Sequence, residues 1–463
     1  MNTAQAQAPR TKRPALAPPR TPSPTSTLVT PQRVLAAIYA GAVAVTFLWW
    51  HNTPDTLHTL SDWLVNAGRI TGLLGGYAAV VLLILMARLP VLERVVGADR
   101  LARWHAMGGR YTVSLLTAHA LLILWGYALM SDRSIPGETA DLLTQYPDVL
   151  MATVGLGLFI MIGAVSARAA RKRMAYETWY YLHLYTYLAI ALSFAHQFAT
   201  GAEFMYSLPA RILWSAMYLI AAVALLWNRF IVPIRGYFRH QMRVTHVIKE
   251  GPDTISIVVQ GKHLDELGAE SGHFFRWRFF NSAHWWQSHP YSLSAPPHPR
   301  ALRITVKALG DHSSDLQDLK PGTRVLAEGP YGAFTAARRS RQRVLLIGGG
   351  IGITPLRALF ETLPGKPGHI TLIYRANTEG DLVLRSELER IARERGAKLH
   401  YVLGLPGSKT DAIRADRLAA LVPGLAQHEV YMCGPPGLTR AATAALLAAK
   451  VPAKHIHNEE FAF

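Results

Sequence analysis

The sequence predicts a multidomain membrane protein: a six-helix transmembrane bundle, then a small antiparallel β-barrel, then a doubly wound α/β domain. Three observations predict it. Charged residues make up 17% of the 463 residues, below the ~25% of ordinary soluble chains, and the deficit is concentrated between Val34 and Asn228. From Met242 to Glu328 short β-type segments alternate with turns, with no long helical stretch between them. From Arg343 onward apolar strands alternate with amphipathic helices. The divisions fall at 1–31 (a basic tail), 32–235 (the helices), 236–338 (the barrel) and 339–463 (the α/β domain).

The tail is rich in Ala, Pro and Thr, carries Arg10, Lys12, Arg13 and Arg20, and holds no acid. It reads as disordered rather than as a signal peptide, because it has no apolar core. Six long uncharged runs follow: Val34–Trp50, Ile70–Ala87, Tyr111–Ser131, Val149–Ala167, Thr178–Thr200 and Ile212–Asn228. Each is close to the ~20 residues that cross a bilayer as a helix. Lys and Arg gather in the tail, between Arg88 and Arg103, and between Arg168 and Arg173, while the alternate connections hold few. The positive-inside rule therefore places these segments and both termini in the cytoplasm, with the chain in the cell membrane. A net charge of +18 is largely accounted for in this way and implies a lipid partner rather than nucleic acid. The one cysteine, Cys433, excludes an intrachain disulfide and a cysteine-ligated cluster.

His105 and His119 fall on the third span, and His183 and His196 on the fifth. Spacings of 14 and 13 residues are about four helical turns, so each pair lies near one helix face at two depths ~20 Å apart. Both spans run in the same direction, which pairs His105 with His183 at the inner level and His119 with His196 at the outer one. Two facing imidazoles at each depth are the ligand set of two six-coordinate haems, which carry electrons. A proton relay through the same histidines is the alternative reading of an intramembrane cluster. Arg69 and Arg110 are placed either to neutralise haem propionates or to snorkel to the interface. Trp49, Trp50 and Trp214 read as interfacial anchors.

In the soluble half, strands are expected at Met242–Ile248, Thr254–Gln260, Phe274–Phe279, Leu302–Ala308 and Arg324–Glu328. The α/β part starts with the apolar strand Val344–Ile347, then a glycine turn from Gly348 to Pro355, then a helix. Strands Ile370–Tyr374, Lys398–Leu403 and Glu429–Cys433 follow, separated by helices. The turn is not the GxGxxG fingerprint, since Ile353 replaces its third glycine. Glycines still let the backbone approach a pyrophosphate, and Pro355 suits the first turn of the helix whose N-terminus attracts it.

Over residues 32 to 463 these features resemble the transmembrane NADPH oxidase and ferric reductase superfamily. Its members join a six-helix dihaem domain to a ferredoxin–NADP reductase-like dehydrogenase. His105, His119, His183 and His196 fit the family's haem ligands. His289, Pro290, Tyr291, Ser292, Leu293 and Ser294 resemble its flavin motif, with Tyr291 in place of the commoner phenylalanine. Val306, Lys307, Gly310 and Ser313 fall in a segment similar to its second flavin contact, and Gly329–Gly332 closes the barrel. Gly350, Ile351, Gly352, Thr354 and Pro355 resemble the nicotinamide-nucleotide turn. Cys433, Gly434 and Pro435 resemble the segment beside the nicotinamide, and Phe463 sits where members stack an aromatic on the flavin. The resemblance implies Cys433 and Phe463 as catalytic contacts, with FAD, NADPH and two b-type haems as cofactors. Arg375, just after the second strand, is placed to meet a 2′-phosphate, and no acid there awaits a ribose hydroxyl; this favours NADPH.

The implied activity is transmembrane electron transfer from cytosolic NADPH through FAD and two haems to an acceptor outside. With both iron positions filled by histidine, oxygen would be reduced at the haem edge to superoxide. Ferric complexes are the alternative acceptor, and a quinone or protein a further one. No calcium-binding loop occurs in the sequence.

Overall fold

Helix α1 (Pro31–His51) begins on Thr30, whose hydroxyl accepts from the Arg33 N–H at 3.3 Å. Pro31 takes the first helical position, where its missing N–H is not needed. The computed structural model describes residues 30–53, 57–167, 173–174, 176–281, 286–404 and 413–460. The expected disordered tail, most of the Arg168–Arg173 cluster and the proposed flavin-stacking Phe463 lie outside the described residues.

The helical half continues with α2 (Leu60–Leu85), α3 (Pro90–Val95), α4 (Ala98–Met130), α5 (Ile135–Gln145) and α6 (Val149–Ser166). Then come α7 (Tyr176–Leu192), α8 (Ala195–Thr200), the single turn α9 (Ala202–Met205) and α10 (Leu208–Leu226). Among the described residues five helices are long and apolar enough to cross a membrane: α1, α2, α4, α6 and the run Leu208–His240. The expected fifth span differs. It is the 17-residue α7, a turn at Ser193 and Phe194, and then α8, so His183 and His196 stand on two helices rather than one. Helix α6 presses against this break through Gly155, where a Cβ would lie 2.9 Å from the Ala189 carbonyl.

The closest packing is between α2 and α4. Gly68, Gly72 and Gly75 form a stripe on α2 whose absent side chains make room for Ile123, His119 and Leu116 of α4. Small residues at this spacing let membrane helices approach. Outward faces are apolar instead: Val43, Phe47, Leu121, Leu213 and Ile220 are each more than half exposed, as a lipid-facing surface requires. Helix α10 passes through a π-helical turn, Trp227–Ile231, into α11 (Val232–His240). The helix therefore continues beyond residue 235, where sequence pattern alone ended it.

Strands β1 (Arg243–Gly251), β2 (Thr254–Gln260), β3 (Phe274–Phe279), β4 (His289–Ser292), β5 (Ala301–Lys307) and β6 (Val325–Tyr331) form two antiparallel three-stranded sheets. Their orders are β1-β2-β5 and β4-β3-β6, and single bridges at Arg243–Arg324 and Leu293–Ile304 join them into a barrel. Strand β3 alternates with period two: Phe275, Trp277 and Phe279 point inward while Arg276 and Arg278 do not. The interior is filled by these rings with Ile257, Leu293, Ile304 and Val306. A ligand must therefore bind outside the barrel.

A five-stranded parallel sheet follows, in the order β11-β10-β7-β8-β9. Its strands are β7 (Arg343–Gly349), β8 (Ile370–Ala376), β9 (Lys398–Leu403), β10 (His428–Gly434) and β11 (Ile456–Glu460). One apolar core lies under α13 (Ile353–Thr362) and α14 (Arg385–Arg395), and a second under α15 (Ala415–Leu421) and α16 (Pro436–Ala448). The short helix α12 (Asp311–Asp315) precedes β6. Counted from β7, the strand order is 3-2-1-4-5, so direction reverses between β7 and β10. Ligands of such sheets bind beyond the carboxyl ends of the strands at that point.

Candidate functional site

The four histidines are brought together in the expected pairs. The His105 and His183 ring centroids lie 5.8 Å apart, and those of His119 and His196 6.4 Å apart. His119 Nδ1 is 2.8 Å from the Gly68 carbonyl, and His105 Nδ1 is 3.4 Å from that of Leu82. A carbonyl only accepts, so Nδ1–H is the donor, and Nε2 keeps the lone pair a metal needs. Histidines and carbonyls are each 14 residues apart on antiparallel helices, so the arrangement repeats at both depths. His183 and His196 have a buried Nδ1 without a hydrogen-bond partner, although the Ser193 backbone is near His196.

Each histidine pair is spaced to face a single metal ion. A metal held by two ring nitrogens at about 2.0 Å each puts the ring centroids roughly 6 Å apart, and both pairs match that spacing. Among the described residues no group of three or more His, Cys, Asp or Glu forms a metal cluster. Two protein ligands per site would suit a metal that is held mainly by a bound cofactor.

The surrounding polar groups depart from expectation. Arg69 is already paired inside the protein: its guanidinium donates to Glu203 Oε1 at 2.6 and 2.9 Å and to Asn66 Oδ1 at 2.8 Å. Its charge is thus met by a carboxylate 3% exposed rather than left for a propionate. Arg110 is exposed, and its Nε reaches the Ala106 carbonyl at 3.5 Å. Five residues beyond His105, it is turned well away from the histidine face. Trp214 is not an interfacial anchor: it is buried, and its Nε1 donates to Gln197 at 2.7 Å, beside His196.

On the barrel, β4 carries the flavin-like motif as a strand that sequence pattern missed. His289 stacks on His312 with centroids 3.7 Å apart, which joins the two segments read as flavin contacts. Burial pushes the Tyr291 hydroxyl up, and Trp277 Nε1 donates to the Tyr291 carbonyl at 3.0 Å. Ser292 is buried and Pro290 exposed. Leu293 and Val306 are corrections to the expected contact set, because both side chains lie in the barrel core. Ser313 is likewise spent on its own turn, accepting from the N–H groups of Leu309 and Gly310. Lys307 bridges Asp253 at 3.3 Å and Asp381 at 3.8 Å.

A network not anticipated from sequence ties this motif to the α/β half. Arg303 donates to the Ser294 carbonyl at 2.8 Å and forks onto Glu387 of α14 at 2.6 and 3.0 Å. Glu387 also meets Arg357 of α13 at 2.7 Å. Burial alone raises the Glu387 carboxyl, but the two arginines outweigh it and hold it below the usual carboxylate range.

At the switch point, Gly350 opens a 3₁₀ turn, Gly350–Gly352, with φ +53° and open space where a side chain would be. Ile351 is half-buried beside it, and the Thr354 hydroxyl bonds back to the Ile351 carbonyl at 3.0 Å. Pro355 is buried in the first turn of α13. Gly352 packs on the end of β10: a Cβ there would meet the Cys433 carbonyl at 2.2 Å. Gly434 is buried at that strand end and Pro435 is exposed beyond it. Arg375 of β8 stands beside Gly349 and donates to the Gly404 carbonyl at 2.9 Å. Cys433 is fully buried. Burial, and then Glu459 beside it in register, pushes its thiol well above the usual range. It is protonated at neutral pH and packs beneath the turn. Gly332 of the barrel comes close to Glu459 as well, so the flavin-like and nucleotide-like segments converge here.

Three families match consecutive parts of the chain: the ferric reductase like transmembrane component over residues 71–194, the FAD-binding domain over 239–335 and the oxidoreductase NAD-binding domain over 346–444. The chain is similar to the ferredoxin reductase component of 3-ketosteroid-9-alpha-monooxygenase from Mycolicibacterium smegmatis, 30% identical over 48% of this chain and 65% of that protein. It is also similar to NADH-cytochrome b5 reductase 2 from Debaryomyces hansenii, 32% identical over 28% of this chain and 48% of that one. The chain thus spans about half to two thirds of the length of these curated relatives. The flavohaem-like FAD/NAD-binding domain of nitric oxide dioxygenase from Vibrio cholerae aligns with 48% of this chain and 98% of its own, at 23% identity and a TM-score of 0.42. The family matches thus set a ferric reductase like transmembrane component, an FAD-binding domain and an oxidoreductase NAD-binding domain one after another along the chain. That order is the one expected from the superfamily the sequence resembles.

Proposed function

We propose that the protein moves electrons from NADPH in the cytoplasm, by way of FAD and two b-type haems, to oxygen on the far side of the cell membrane, releasing superoxide. The division into a tail (1–31), a dihaem part (32–235), a flavin barrel (236–338) and a nucleotide domain (339–463) is part of this reading. So is the cytoplasmic placing of both termini. The observation that carries it is the pair of histidine pairs, each at the spacing of a two-imidazole metal site, at two levels along α2 marked by the Leu82 and Gly68 carbonyls.

When bound, FAD would supply the conversion of a two-electron donor into single electrons, and bis-histidine haem the one-electron carriage. The chain's own residues do the positioning. His105 and His183 would hold the iron nearer the barrel, and His119 and His196 the farther one. The β4 motif with His312 would hold the flavin, and the Gly350–Gly352 turn the nucleotide's pyrophosphate, with Arg375 favouring a 2′-phosphate. His119 and His196 would supply two protein ligands to the farther iron, which would leave oxygen to accept a single electron without binding there.

The test is NADPH turnover under air by purified protein, read with a superoxide reporter in the presence and absence of superoxide dismutase. We expect dismutase to abolish the signal. Reduction of a ferric chelate at an undiminished rate with dismutase present would replace this reading with that of a ferric reductase, which the family description of residues 71–194 favours.

A further inference from the structure

Arg88 belongs to a cluster of basic residues that orients the membrane helices, yet it is not a solvated charge. Its side chain is only 16% exposed and forms an ion pair with Glu328, itself 8% exposed. The same guanidinium lies over the Tyr331 ring, 6.0 Å from its centroid. Glu328 and Tyr331 flank Gly329 and Pro330, so one arginine from the helical half grips both ends of the turn that closes the flavin barrel. Its backbone has φ +56°, a left-handed conformation that a non-glycine residue adopts only where its surroundings enforce it.

A second arginine completes the joint. Arg229, in the π-helical turn between α10 and α11, donates through Nε and Nη2 to the Met86 carbonyl at 3.1 and 2.9 Å. Met86 caps α2, two residues before Arg88. The end of α2 is thereby fastened to the helix that runs on covalently into the barrel, and through Arg88 to the barrel itself. Lone π-turns of this kind recur where a helix serves a function. Helix α3 packs against β6 beside them.

We propose that Arg88 is a positioning residue: with Glu328 and Tyr331 it pins the flavin barrel to the membrane helices and so sets the gap that electrons cross between flavin and the His105/His183 site. The inference rests on the electron path proposed above. Transfer between redox centres weakens steeply with separation, so a joint of this kind belongs on rigid elements, as here on a helix end and a strand. Neither Arg88 nor Glu328 lines the nucleotide turn or the β4 motif, so loosening the pin leaves hydride transfer intact.

The experiment uses the full chain in detergent, comparing wild type with Arg88→Ala and with Arg88→Lys, which keeps the charge and loses the fork. Three quantities are read: NADPH-to-ferricyanide turnover, the rate of NADPH-driven haem reduction under argon, and hydrogen exchange of residues 325–331 without NADPH. In Arg88→Ala we expect ferricyanide turnover within about twofold of wild type and haem reduction slowed by about tenfold or more, as misplacement by an ångström does. Exchange across 325–331 should quicken. Arg88→Lys should show the same changes in smaller measure, and it keeps the test open if the alanine variant fails to fold. Haem reduction and exchange at wild-type values in either folded variant overturn the proposal. If wild type itself reduces no haem, the electron path has failed instead, while quickened exchange in the variants still reports the joint.

Discussion

Replacing His119 by alanine should abolish NADPH-driven reduction of any acceptor beyond the membrane, by about 100-fold or more, while NADPH-to-ferricyanide turnover stays within about twofold of wild type. The split follows from position. His119 faces His196 at 6.4 Å between ring centroids, and its Nδ1 is held by the Gly68 carbonyl at the end of the bundle remote from the barrel. On the proposed electron path, removing it would take one of two protein ligands from that site while touching nothing on β4 or the glycine turn. Haem content should fall from two per chain to one, measured by pyridine haemochrome against flavin released on denaturation. Equal loss of ferricyanide turnover would mean that the two halves do not act in series.

Gly352→Ala should strike the opposite end of the path. Its Cβ would lie 2.2 Å from the Cys433 carbonyl, a backbone atom of a central strand that has no room to retreat. The turn must therefore move off β10, at a cost of about 1–3 kcal/mol in overpacking. The same displacement swings the turn's N–H groups away from a bound pyrophosphate, so KM for NADPH should rise about tenfold or more. Flavin and haem content should be unchanged. Gly350→Ala is the control: nothing lies within 4 Å of its Cβ, so only the φ of +53° is strained, at about 1–2 kcal/mol. Steady-state KM and thermal melts of both variants check this; a wild-type KM in Gly352→Ala would remove the turn from the nucleotide site.

The parts legible in the sequence were those with a period. Uncharged runs marked the helices, and spacings of 14 and 13 residues pointed to histidine pairs at two depths. Apolar strands around a glycine turn marked the parallel sheet. What escaped was set by partners distant in the chain or by segments too short to show a period. Arg69 meets Glu203 across 134 residues, and nothing local reveals that a buried carboxylate waits there. Strand β4 has four residues and a proline, and β11 reads Ile-His-Asn-Glu-Glu, without an apolar face. The break after Leu192 carries neither glycine nor proline, and it lies where Gly155 brings α6 close. Leu293 and Val306 belong to motifs that suggest ligand contact, yet strand alternation turns them into the core. Membership of a motif and direction of a side chain are separate facts.

The central claim is that the two histidine pairs hold haem in series with the flavin. It is tested most directly by titrating purified protein with NADPH under argon and recording the absorption spectrum. The account predicts that sharp reduced-minus-oxidised bands of six-coordinate haem develop alongside flavin bleaching, with two haems per flavin. Bleaching of the flavin with no haem band at any NADPH concentration would contradict it.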